Sequence, residues 1–169
     1  MKSIININSS TASRDIALFK NREYVMDIRI NNVHLRSINR LIGFNLFSKN
    51  DLYVGGETLW TSMQPKGENE HHNYHDLTPE DIVEALRNIT KPYCVLENGD
   101  NRIAIISSIM SHLGKAVNII IEIGAELRGF KDANINKLVT LFPIGRVEEH
   151  LKNVGVEKIY YLNTGNKAK

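Results

Sequence analysis

The chain has 169 residues, a net charge of +2, a hydrophobic fraction of 42% and a charged fraction of 24%. That is enough chain and apolar content for a real core, and too balanced a charge to argue nucleic-acid binding by itself. A single cysteine, Cys94, excludes an internal disulfide or a cysteine-cluster zinc site; with no signal-peptide pattern, and with a longest apolar run (116–123) too short for a bilayer, a cytoplasmic protein without membrane contact is expected.

Residues 2–7 read as a short strand and 13–19 as a helical turn. Residues 23–30 alternate, with Tyr24, Met26, Ile28 and Ile30 on one side and Val25, Asp27 and Arg29 on the other, which predicts a strand. Asn31 and Asn32 then turn the chain. Leu35, Ile38, Leu41 and Ile42 predict an amphipathic helix ending near Gly43, with His34 at its start as a surface or packing residue. The stretch 48–63 fits no simple period. Its Gly55-Gly56 pair is no phosphate loop, since no Gly-Lys-Ser/Thr follows. Trp60 and Met63 are expected to be buried.

Residues 64–73 are polar, with Pro65 and Gly67, and mark a soft boundary. A fragment beginning near Gln64 is therefore expected to fold. An N-terminal extension of uncertain fold, 1–70, packs on a domain spanning 71–169. Thr78 then reads as an N-cap, Pro79 as N1 and Asp81 as N3 of a helix whose apolar face is Ile82, Val83, Leu86 and Ile89. Three histidines, 71, 72 and 75, precede this helix end. Their spacing on a loop is a weak metal signal, so no metal or cofactor is assigned.

Lys91-Pro92 closes the helix. Strands are predicted at 93–97, 102–109 and 116–123, joined by turns at 98–101 and 111–115. After a polar loop at 129–134 come a strand at 137–142, a short helix from Val147 stopped by Gly155, and a last strand at 158–163. The order predicts an α+β domain, an antiparallel sheet with helices packed on one face, beside an N-terminal α/β extension. On the third of these strands Val117, Ile119, Ile121 and Ile123 should meet the helices. Asn118, Ile120 and Glu122 share the other face, which is either solvated or a site. Arg102 is the natural ion-pair partner for Glu122.

Five segments carry a resemblance: His-Asp-Leu-Thr-Pro-Glu-Asp-Ile from His75, Ile-Thr-Lys-Pro-Tyr-Cys-Val-Leu from Ile89, Ala-Val-Asn-Ile-Ile-Ile-Glu-Ile from Ala116, Ile-Asn-Lys-Leu-Val-Thr-Leu-Phe-Pro from Ile135, and Lys-Ile-Tyr-Tyr-Leu-Asn from Lys158. In this order they resemble the phage-borne, MuF-associated nuclease-like domains of the barnase–EndoU–colicin–RelE superfamily, over residues 71–169. The resemblance implies a barnase/RelE-like fold and a metal-independent ribonuclease used as a toxin or effector in a bacterial host cell. By position, His75 matches the family's histidine, Thr140 its strand Ser/Thr, and Tyr161 and Asn163 its closing Tyr-x-Asn. Cleavage through the ribose 2′-OH needs a base, an acid and cations on the phosphate. The catalytic candidates are His75, with Glu122 or a second histidine as its complement, and Thr140 as the resemblance implies. Arg102, Lys137, Tyr161 and Asn163 are candidates for holding RNA, with Tyr74 or Tyr161 stacking a base. The alternative is a non-catalytic protein on the same scaffold that binds and inhibits a host protein; an immunity protein is a further candidate partner.

Overall fold

The computed structural model describes residues 4–21, 26–67, 74–127 and 130–165. Helix α4, Pro79–Arg87, starts on a complete capping box. Thr78 Oγ1 accepts from the Asp81 amide at 3.1 Å, and the Asp81 carboxylate accepts from the Thr78 amide at 2.9 Å. These bonds satisfy two donors that a helix start otherwise leaves open. The buried face of α4 is Ile82, Val83, Ala85 and Leu86.

Eight strands form one sheet: β1 (Ile4–Asn6), β2 (Asp27–Asn31), β3 (Leu52–Gly55), β4 (Pro92–Glu97), β5 (Arg102–Met110), β6 (Ala116–Leu127), β7 (Phe130–Ile144) and β8 (Ile159–Leu162). Their order across the sheet is β1-β2-β3-β7-β6-β5-β4-β8. The β4–β5–β6–β7 meander is antiparallel, as the turns predict, and β8 adds to β4 antiparallel. The expectation of an antiparallel, barnase/RelE-like sheet is nevertheless overturned. β1 runs parallel to β2, and β3 runs parallel to β7, pairing Leu52 with Asn136, Tyr53 with Lys137 and Val54 with Leu138. The sheet is mixed, and residues from both sides of the polar 64–73 stretch contribute to it. β7 also begins earlier than predicted, taking in residues assigned to a loop.

The helices are not confined to one face. Helices α1 (Ala12–Ala17), α2 (Ile38–Ile42), α3 (Gly56–Met63) and α4 share a core with alternate sheet residues: Ile16, Ile38, Leu59 and Ile82 join Val95, Ile105, Val117, Ile119, Ile121 and Leu141. Helix α5 (Val147–Asn153) lies on the opposite face, where Val147 and Leu151 join Cys94, Leu96, Ala104, Ile106 and Ile120. The period of two along each strand explains the split: Val117, Ile119 and Ile121 point one way, and Asn118 and Ile120 the other. That second face is neither wholly solvated nor wholly a site. Asn118 and Ile120 are buried, and Asn118 Oδ1 has no hydrogen-bond partner among the described residues.

Arg87 fastens the N-terminal strand to α4. Its Nε donates to the Ile7 carbonyl at 2.8 Å, one terminal nitrogen donates to the Ser9 carbonyl at 2.8 Å, and the other meets Glu84 at 3.1 Å. No helix of the described residues is long and apolar enough to cross a membrane. Of the predicted strand 23–30, residues 23–25 lie outside the described residues, as do His71 and His72.

Candidate functional site

β3 pairs with β7 only as far as Val54 opposite Leu138. Gly55 then turns the chain into α3, so β7 beyond Leu138 loses its strand neighbour on that side. An open groove of about 700 Å³ occupies this place, lined by Glu57, Thr58 and Thr61 of α3, His75, and Val139, Thr140 and Phe142 of β7. A bulge in the β6–β7 ladder between Ile120 and Ile121 falls at Val139, where it re-aims the β7 side chains.

The His75 segment is held by backbone bonds to the end of α3. The Asp76 amide donates to the Gln64 carbonyl at 2.8 Å and the Leu77 amide to the Ser62 carbonyl at 2.9 Å. Leu77 is buried, and Asp76 adopts a left-handed φ of 55°, a conformation that aspartate tolerates better than most residues. His75 Nε2 lies 3.4 Å from Thr140 Oγ1, a long hydrogen bond, and its ring packs against Phe142 with centroids 5.6 Å apart. Burial, and then the positive charge of Lys66, push the imidazole below its ordinary pKa. The shift favours the neutral imidazole, the form able to accept a proton. Beside it Tyr74 meets Trp60 edge to face at 5.4 Å. Trp60 is only half-buried, whereas Met63 is buried as expected.

The structure brings together two of the three predicted catalytic residues, His75 and Thr140. Glu122 is engaged elsewhere: its carboxylate meets Arg102 at 3.3 Å, the pairing expected from the sequence. Lys137 sits on β7 between Tyr53 and Glu122 in the cross-strand row, three residues before Thr140. Tyr161 and Asn163 are not brought to the groove. β8 is four strand spacings from β7, roughly 19 Å across the sheet. Tyr161 is partly buried against the larger core, and the Asn163 amide is bound to the Tyr93 carbonyl at 2.8 Å. Cys94 is a core thiol that burial pushes up to about 12.

Glu57, Lys66 and His112 were not among the sequence candidates. Glu57 and Lys66 carry no motif; only the approach of α3 to β7 puts Glu57 on the groove, and only the fold sets the Lys66 charge near His75. His112 lies in a predicted turn, and its partner Asp81 is 31 residues away. No group of three or more His, Cys, Asp or Glu side chains among the described residues could hold a metal ion.

The chain is a mixed α/β protein with a histidine-bearing groove at the junction of its two sheet halves. No protein-family model, curated protein or solved structure matches it.

Proposed function

We propose that the His75 groove cleaves RNA by metal-independent attack of the ribose 2′-OH, as the working site of an RNA-directed effector. The observation that carries this reading is His75 itself: a half-buried imidazole on a backbone-pinned segment, with Nε2 facing the Thr140 hydroxyl inside an open groove. His75 takes the 2′-OH proton as the O2′–P bond forms. The proton that the 5′-oxygen needs as the P–O5′ bond breaks comes from solvent in the open groove, which Glu57 also lines. The Thr140 hydroxyl and the Lys66 ammonium are assigned to the phosphate. Lys137 extends the same strand toward the chain of the substrate.

A second reading has its own support. On the sheet face two of the basic groups are spent on neighbours, Arg102 on Glu122 and Arg29 on Asp51 at 3.7 Å. RNA binders usually present an uncompensated basic face, and this pairing favours a non-catalytic protein that docks on a host protein.

The test is incubation with RNA in chelator, with the ends of the products identified. Cleavage with 2′,3′-cyclic phosphate ends is expected, lost ~10²–10⁴-fold in His75→Ala and retained in Tyr161→Ala. Intact RNA with the unaltered protein, or full cleavage by His75→Ala, sinks the ribonuclease reading; the first outcome leaves the docking protein in front.

A further inference from the structure

The carboxylate that completes the α4 capping box has a second engagement. Asp81 Oδ2 accepts the Thr78 amide at 2.9 Å, and the same oxygen meets Nδ1 of His112. The other oxygen, Oδ1, accepts the His112 backbone amide at 2.8 Å. The Asp81 side chain is only 8% exposed, and that of His112 is 42% exposed. Burial acts to raise the Asp81 carboxyl, but the bonds from Thr78 and His112 outweigh it and hold the group below its ordinary value.

His112 stands on the tight β5–β6 turn, which is closed by the Ser111 amide on the Lys115 carbonyl at 2.8 Å and by a left-handed Gly114. Asp81 therefore joins three parts of the fold: the first turn of α4, its cap residue Thr78, and the turn between two central strands. From Thr78 the chain has little freedom back to His75. Leu77 is buried and bonded to Ser62, and Asp76 is bonded to Gln64.

We propose that His112 is a positioning residue for His75: by gripping Asp81 it fixes Thr78, and through residues 76 and 77 the place of the His75 ring against Thr140 and Phe142. An imidazole bound to a buried carboxylate through Nδ1 is held in one orientation, the same logic by which outer-shell carboxylates orient working histidines. Here the direction of support is reversed, because the outer histidine steadies the carboxylate. The consequence for catalysis rests on the ribonuclease reading, but the coupling is measurable without substrate.

The experiment is NMR on the full chain with labelled histidine, following the His75 ring signals, their titration, and hydrogen exchange of the Thr78 amide. In His112→Ala the His75 ring signals shift, its titration midpoint moves toward the ordinary histidine value, and Thr78 exchange speeds up about tenfold or more, the equivalent of one lost charge-assisted bond. His112→Asn keeps a side-chain N–H for Asp81 and restores both signals, whereas His150→Ala on α5 leaves them alone. If His112→Ala fails to fold, His112→Gln takes its place, its donor displaced by one methylene, and the same shifts are expected. Unchanged His75 signals in a folded His112 variant, or no restoration by Asn, overturn the proposal. Displaced His75 signals in a protein that cuts no RNA keep the coupling and discard only the ribonuclease reading.

Discussion

Removing residues 1–63 is the sharpest test of how this molecule is held together. The polar stretch 64–73 invites the cut, but more than half of the buried side chains in the larger core precede it, from Ile5 and Ile7 through Phe47, Leu52, Val54 and Leu59 to Met63. α1 packs on α4, and both α3 and β3 pack on β7. The truncation exposes Leu138 and Leu141 and much of the buried face of α4, and it strips β7 of its parallel neighbour. Five large side chains returned even halfway to water cost about 4–7 kcal/mol at the usual 1.5–3 kcal/mol for full burial. The Arg87 bonds to Ile7 and Ser9 are lost as well. Domains of this size hold only about 5–15 kcal/mol in total. The fragment 64–169 is therefore expected to lose its cooperative transition, with shallow urea curves by circular dichroism and poor dispersion in amide NMR spectra. A fragment that melts cooperatively at a midpoint near that of the whole chain would falsify the argument and restore the polar stretch as a true domain boundary.

Four further outcomes follow from single groups. Thr78→Ala removes the cap acceptor of α4 and should cost about 1 kcal/mol, or a few degrees of melting temperature; an unchanged melt refutes the cap. Arg87→Ala leaves the Ile7 and Ser9 carbonyls without their charged donor and should cost about 2–4 kcal/mol in urea unfolding, with Arg87→Lys recovering only part because a lysine cannot fork to two carbonyls. A double-mutant cycle on Arg102 and Glu122 should give a coupling of about 0–1 kcal/mol, since both groups are partly exposed; a larger coupling, or loss of cleavage in Glu122→Gln, would return Glu122 to the site. The His75 pKa is lowered in the folded chain, so the neutral form is favoured there and protonation favours unfolding. Its contribution is present at neutral pH and is lost as pH falls from about 6.5 toward the lowered value. Cleavage should follow the same group, with kcat/KM level at pH 7 and an acid limb whose midpoint lies below about 6.5; a midpoint at or above that value contradicts the burial of His75.

The elements that could be read from the sequence are those whose signals are local. The α4 cap needed only Thr78, Pro79 and Asp81, and the meander needed only β-branched runs between Asn-Gly and Leu-Gly turns. Arg102 was one possible partner for Glu122 on the neighbouring strand, and the register sets the two opposite each other. The parallel pairs were invisible because no turn joins them: β3 meets β7 across more than eighty residues, and Leu52-Tyr53-Val54 is too short to show which edge it will take. α3 was missed for a related reason. Its sequence opens on glycine, carries two threonines, and shows a helix only once β7 offers a surface for Leu59 and Met63. Of the candidate site, His75 and Thr140 were legible and did meet, while Tyr161 and Asn163 had been carried by a pattern that ends on the opposite edge of the sheet.

The groove follows from how short the β3–β7 pairing is. β3 leaves β7 after three paired residues and the chain continues directly as α3. Leaving early exposes one side of β7 from Val139 onward, and that side would present unsatisfied backbone groups if nothing covered it. α3 and the His75 segment cover it incompletely, and the gap they leave is the groove. A strand continuing β3 alongside Val139–Phe142 would satisfy the edge better and would erase the space between Glu57, His75 and Thr140. The early end of β3 is thus the structural origin of an opening lined by an imidazole, a hydroxyl and a carboxylate.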